Sequence, residues 1–363
     1  MDGDGQRPSQ VAVGLMGDLA LPVLGAVFIV SAAVIWFAGI QLSRTTDEID
    51  SRFGLGEALG GLILLAFATN LPEIAIVSAA AVQHNFDIAT GNILGGIAIQ
   101  TLVLVALDGF GVPRRPLTNV TASLVQVLEG TLVIAVLAVA IGAILLPKGV
   151  VVGRIDPSAL LIVLLWAGGL YVVWRASKSL PWKVIGGAGP DAGPRRRAKA
   201  RKPRPTGVTL GIFAAAGLAT LVAGVLIEES GSAIATQIHL SGAVFGGTVL
   251  AAATALPELS TGLAAVRIED FELAVSDIFG GNAFLPVLFF PATLLAGQSV
   301  LGNAAKTDAF LAVLGILLTA VYVAGLVIRP RRQYLRLGPD SLLVLVLYGA
   351  GIAGMVLVSQ SAH

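Results

Sequence analysis

Two short motifs in this chain place chemistry where an apolar sequence would not otherwise have it: FATNLPE at residues 67 to 73 and AATALPE at residues 252 to 258. Each sets a glutamate directly after a proline, with a threonine four residues before it, inside a run of apolar residues. A carboxylate in hydrocarbon costs about 3 kcal/mol on insertion scales, so two in the same setting call for a ligand or a partner. Pro72 has no N–H, and its ring clashes with the carbonyl four residues back, which releases the Ala68 oxygen; Pro257 does the same for Ala253. A released carbonyl in lipid must be buried in protein or meet a ligand. With the hydroxyls of Thr69 and Thr254 and the carboxylates of Glu73 and Glu258, the donor set is all oxygen. Hard cations such as Ca2+ and Na+ fit that set; the absence of cysteine and of nearby paired histidines argues against zinc or copper. Asn92 and Asp277 each add a polar oxygen at the start of the next apolar run.

The elements that position these groups come in two copies. Residues 61 to 100 align without a gap on residues 246 to 285, pairing Thr69 with Thr254, Leu71-Pro72-Glu73 with Leu256-Pro257-Glu258, Phe86 with Phe271 and Gly95-Gly96 with Gly280-Gly281. Apolar composition produces chance Ala and Leu matches; it does not produce a shared Pro-Glu, Thr, Phe and Gly-Gly in one frame, so the segments read as internal repeats. The paired glycines have a plainer reading as well, since small residues let membrane helices approach closely.

Composition sets the class. With 56% apolar and 12% charged residues in 363, against about 25% charged for soluble domains, the chain reads as an all-α polytopic membrane protein. Ten runs reach the length of about 20 residues that a crossing helix needs, near 18–42, 55–82, 87–109, 119–146, 157–176, 207–228, 240–266, 272–296, 306–328 and 341–359. They are apolar all round, without the alternation of a β-barrel strand. Residues 1 to 177 form one five-helix repeat, 178 to 206 a Pro-, Gly- and Arg-rich linker, and 207 to 363 the second repeat. The linker has an alternative reading as a regulatory or lipid-binding segment.

Five crossings per repeat invert the second copy relative to the first. With the linker in the cytoplasm and the N-terminus outside, 19 of the 23 basic residues fall inside. The first 17 residues lack a basic n-region, so the first helix is expected to remain as an anchor in a multi-pass plasma-membrane protein. If the inverted repeats meet at the midplane, Glu73 and Glu258 face each other and require a cation or a proton between them. A lone acid in the fourth helix, Glu129, is either hydrogen-bonded locally or a proton relay.

At these residues the sequence resembles the sodium/calcium exchanger branch of the cation/Ca2+ antiporter superfamily, whose two repeats have the form G-T-S-L-P-E followed by G-N-x-x-G-S-N. The resemblance implies a core of helices two, three, seven and eight, with helices one and six as a sliding pair. By position it assigns Glu73 and Glu258 as central cation carboxylates, Thr69 and Thr254 as side-chain ligands, and Ala66 and Ala251 as carbonyl donors. Asn70 and Ala255 replace the serine after threonine, Gly96 and Gly281 the later serine, and Gln100 and Leu285 a further Asn or Asp position. The candidate cation ligands are therefore Glu73, Glu258, Thr69, Thr254, Ala66, Ala251, Asn70, Asp277, Asn92 and Gln100. The expected activity is exchange of Ca2+ against Na+ or H+, with the bilayer and inorganic cations as partners. No permanent cofactor, nucleic acid, protein partner or enzymatic reaction is expected. The alternative is a membrane protein on this scaffold that does not antiport: a channel, a carrier of another solute, or a member that has lost transport. Nothing resembles an ATP-binding loop.

Overall fold

The computed structural model describes residues 16–53, 67–112, 115–121, 123–146, 151–178 and 204–360. Its helices are α1 (Leu21–Phe53), α2 (Leu71–Val82), α3 (Phe86–Gly111), α4 (Val125–Leu145) and α5 (Pro157–Lys178), then α6 (Thr206–Gln237), α7 (Leu256–Arg267), α8 (Phe271–Phe284), α9 (Lys306–Ile328) and α10 (Pro339–Gln360). Three short segments, Gly242–Phe245, Gly246–Leu250 and Ala251–Thr254, lead into α7, and α8 runs on through a 3-10 turn to Phe289–Ala296. Among the described residues seven helices are long and apolar enough to cross a membrane, or eight if the bent pair ending in α7 is one span. The ten crossings read from the sequence include a second helix whose first half, residues 55 to 66, lies outside the described residues.

The repeat is written into the backbone. The helices α2 and α7 start at Leu71 and Leu256, α3 and α8 at Phe86 and Phe271, and α1 and α6 at Leu21 and Thr206, each pair 185 residues apart. The corners before α3 and α8 match as well: His84 and Glu269 both take left-handed φ values, 57° and 63°, and Asn85 and Asp270 share φ near −90° with ψ of 71° and 72°. A single antiparallel bridge precedes α5, Val152 to Ile155, and its counterpart Tyr334 to Leu337 precedes α10.

The inversion follows from what lies beside α3. Gly242 packs on Asp87 and Ile88, Gly246 on Ile88 and Asn92, Gly247 on Gly91 and Gly95, and Gly262 on Leu107. The broken helix that ends in α7 therefore runs parallel to α3. Because α2 reaches α3 through the three-residue corner Gln83 to Asn85, it runs antiparallel to α3, and hence α2 and α7 point in opposite directions.

Loop contacts sort into two faces. On the face that bears the linker, Arg52 donates to the Thr206 hydroxyl (2.8 Å) and to the Arg204 carbonyl, Arg329 to the Asn119 carbonyl (2.7 Å), and Gln333 to the Arg115 carbonyl (2.8 Å). Asp108, at the end of α3, accepts from the Leu117 and Gly338 N–H groups and the Ser341 hydroxyl. On the far face Asn85 donates to Ser232, Gln237 to the Leu19 carbonyl, and Ser299 to Asp156.

Burial separates the centre from the periphery. In the apolar stretch of α3, 72% of residues are buried, and in that of α8 61%, against 22% in α6 and 17% in α5. Ile29, Val30 and Phe37 of α1 and Leu218 and Val222 of α6 are exposed, as lipid-facing residues must be. The sequence placed the first and sixth helices near 18–42 and 207–228; both run on for about nine more residues or longer. The extensions are polar, and each is held by partners the sequence could not display: Glu48 accepts from Thr209 (2.7 Å), and Ser232 receives Asn85.

Candidate cation site

Both motifs break their helices where the proline requires it. Asn70 and Ala255 stand at the breaks with φ, ψ of −87°, 10° and −75°, 0°, and Pro72 and Pro257 open the helices that follow. The segment Gly246–Thr254 meets α7 at a bend of 46°. Before it, Gly246–Leu250 is wound as a π-helix, a form that concentrates at functional sites.

The central acids are fully enclosed: Glu73 and Glu258 are each 0% exposed. Their charges act on each other, and Asp277 acts on Glu258. Gln100 of α3 donates to Glu73 Oε1 (3.4 Å), and the Thr254 hydroxyl is within reach of the same carboxylate while donating to the Ala251 carbonyl (3.1 Å). Among the described residues Glu73 Oε2 and both Glu258 oxygens have no hydrogen-bond partner. Buried polar atoms are seldom left so, and each stands out as a position where a cation or a proton would be held.

The other candidates gather with different closeness. A Cβ built on Gly281 would sit 3.2 Å from Asn70 Nδ2 and 3.4 Å from Gln100 Oε1, so the break in the first motif, α3 and the Gly-Gly of α8 converge at one point. Asp277 accepts from the Thr261 hydroxyl (2.5 Å), one turn beyond Glu258 on α7, and so reaches the second motif. Thr69 is buried beside the break, and Asn92 is buried where α3 crosses the Gly246 backbone, its amide atoms without hydrogen-bond partners among the described residues. The Ala251 carbonyl already accepts from the Ala255 N–H and from Thr254. Ala66 lies outside the described residues.

Two further residues belong to this cluster and were passed over in the sequence. Asn282 and Thr101 are both fully buried, and the Asn282 amide donates to the Thr101 hydroxyl (3.3 Å), next to Gln100. A signal existed: Asn282 matches the final asparagine of G-N-x-x-G-S-N, while Ile97 holds that place in the first repeat. Among the described residues no three acids or histidines meet at one point, so a cation here would draw on amides, hydroxyls and carbonyls besides the two glutamates.

The outer helices contact the site through the prolines. A Cβ on Gly39 of α1 would lie 2.8 Å from the Pro257 ring, and one on Gly224 of α6 would lie 3.1 Å from the Pro72 carbonyl and 2.6 Å from Ala75 Cβ. The two glycines are 185 residues apart, so each half covers the other half's break in the same way.

Comparison with known proteins decides the family. The family model described as sodium/calcium exchanger protein matches residues 23–177 and 208–357. The chain belongs to that family. The exchanger is 29% identical over 286 residues to the inner membrane protein YrbG of Escherichia coli, a match spanning 77% of this chain and 80% of that protein. It is 25% identical over 302 residues to the putative antiporter CaxA of Alkalimonas amylolytica, covering 81% and 88% of the two. Its fold is that of the H+/Ca2+ exchanger CAX, with a TM-score of 0.65 at 14% identity over 93% of this chain and 87% of the other. The sodium-calcium exchanger NCX_Mj shares it at a TM-score of 0.55 and 17% identity, over 92% and 99%. The exchanger is thus a multi-pass membrane protein of a transporter family that moves inorganic cations, and a cation antiporter by that membership.

Proposed function

We propose that this exchanger moves Ca2+ against H+, with or without Na+, by alternating access around Glu73 and Glu258. Carrying this reading are the two enclosed glutamates on oppositely directed broken helices, with three carboxylate oxygens that lack hydrogen-bond partners among the described residues. Two uncompensated negative charges in so dry a site are costly, so the centre is compensated at every stage by a dication or by protons. That requirement couples the fluxes: the metal leaves only as protons or another cation replace it.

The ligand set we assign is Glu73 and Glu258 with Thr69, Thr254, Asn70, Gln100, Asn92, Asp277 and the carbonyls of Ala66 and Ala251. Gly96, Gly281 and Leu285 take positions where the exchanger pattern carries oxygen-bearing side chains, which removes sodium ligands and supports coupling at least partly to protons. The paired glycine contacts, Gly39 on Pro257 and Gly224 on Pro72, support α1 and α6 as the pair that moves across the core.

The test is Ca2+ uptake into proteoliposomes under an imposed H+ or Na+ gradient. Uptake should follow the proton gradient, and the apparent Ca2+ affinity should fall as pH drops, because protons and metal compete for the same oxygens. Flux that needs no counter-ion would favour a channel, and strictly sodium-dependent, pH-insensitive exchange would remove the proton part.

Orientation follows from the same reading: repeats 1–177 and 207–363, the 178–206 linker in the cytoplasm, and the N-terminus outside at the plasma membrane. His84 and Tyr334 are exposed on opposite faces. In this cysteine-free chain, a membrane-impermeant thiol reagent applied to intact cells should label His84→Cys and spare Tyr334→Cys. The reverse pattern would invert the topology.

A further inference from the structure

A buried polar cluster lies off the central site. On α4, Glu129 is buried, 5% exposed, and accepts a hydrogen bond from the Ser276 hydroxyl of α8 (2.8 Å). The Gln126 amide donates to the same Ser276 oxygen (3.0 Å), which leaves the serine proton directed at Glu129. Ser276 adjoins Asp277, whose carboxylate accepts from Thr261 (2.5 Å), and the Thr261 hydroxyl also reaches the Glu258 carbonyl (3.1 Å). Consecutive buried residues of α8 thus carry polar contacts in two directions, Ser276 to α4 and Asp277 to α7. In the other half the offset of 185 gives Gly91 for Ser276, Asn92 for Asp277 and Ile76 for Thr261, while the offset of 182 that relates α5 to α10 gives Leu311 for Glu129 and the buried Asp308 for Gln126.

Leu311 at the matching place on α9 shows that the Glu129 position does not need an acid for packing. Gly130, beside Glu129, packs on Val323 and Phe279, and Gly315, one turn beyond Leu311, packs on Ile97 and Leu137. The scaffold thus accommodates leucine at the Glu129 position in one half and a buried carboxylate in the other. The charge bearing on Glu129 is a second acid, Glu272 of α8, one turn before Ser276. On its other sides α5 and α9 meet α4 through apolar contacts, Gly169 on Leu132 and Val323 on Gly130. A membrane-buried acid with a hydroxyl partner and an acidic neighbour is suited to hold a proton rather than a metal.

We propose that Glu129, with Ser276 and Gln126, is a proton station on the linker side of the exchanger. It builds on the antiport reading above. As Ca2+ arrives at the centre, a proton leaves a central carboxyl group; Glu129 carboxylate takes it up along the Ser276 side and releases it to the linker face, where α4 begins.

The experiment uses full-length protein in proteoliposomes and three measurements: Ca2+/Ca2+ exchange at equal pH, Ca2+ uptake driven by a pH gradient, and Ca2+-driven H+ release followed with a pH dye. Glu129→Gln should keep Ca2+/Ca2+ exchange within about twofold while lowering both proton-coupled signals at least tenfold, and Glu129→Asp should restore part of them. Proton-coupled signals equal to wild type in Glu129→Gln would overturn the proposal. So would loss of all three signals by the same factor, which marks a structural role. If wild type exchanges Ca2+ against Na+ with no proton release, the station fails and antiport stands. If wild type shows neither Ca2+/Ca2+ exchange nor driven uptake, the antiport reading falls first and the station with it.

Discussion

Glu73→Gln and Glu258→Gln should each abolish driven Ca2+ uptake, by a factor of at least about 100, while the protein remains folded in the membrane. The substitution keeps shape and volume and removes one of the two enclosed charges. The fold should tolerate that well: neither Glu258 oxygen has a hydrogen-bond partner among the described residues, so no donor is orphaned and the cost of burying a charge is relieved. Transport cannot tolerate it, because a dication between one carboxylate and one amide lacks half its compensating charge, and a proton-loaded state of the pair no longer differs from the metal-loaded state in the required way. The pairing of an unchanged melting temperature with lost uptake is the signature to look for. Normal uptake by either variant would remove that glutamate from the site.

The second large effect concerns the fold that brings the motifs together. A Cβ on Gly95 would stand 2.1 Å from Gly247 Cα, 2.5 Å from its oxygen and 2.7 Å from its carbonyl carbon. These are backbone atoms, which have no rotamer to escape into, so α3 and the helix leading into α7 would have to separate along their whole crossing. Overpacking of flexible side chains costs about 1–3 kcal/mol, and a backbone clash exceeds that range. Gly95→Ala should therefore lower the melting temperature in detergent by more than about 5 °C or prevent recovery of folded protein. The control is Gly168→Ala on α5, where an added Cβ meets nothing within 4 Å among the described residues. Equal melting of the two variants would show that the crossing is looser than drawn.

Much of the site was legible because its signals are local in sequence. Proline fixes where the ladder breaks, so the positions of Asn70 and Ala255 between helices could be read from Pro72 and Pro257 alone. The repeat offset of 185 located α2, α3, α7 and α8 together, since identical residues with identical neighbours fold alike. Helix lengths were legible only where apolarity marked them. The polar ends of α1 and α6 were missed because their helicity depends on partners such as Thr209 and Asn85, which lie far away in the chain.

The sequence by itself determined that the chain spans the membrane many times, that its halves are copies, and that a carboxylate and a broken ladder recur in each. Those features depend on composition and on chemistry within a few residues, which the linear order states directly. Only the tertiary structure decided that Gln100 reaches Glu73, that Asn282 joins Thr101, that Gly39 and Gly224 rest on the opposite half's proline, and that Glu129 pairs with Ser276. Each of these joins residues from different helices. Which helix faces which is set by close packing over whole surfaces, where small residues admit a neighbour and large ones refuse it, and no short stretch of sequence contains that balance.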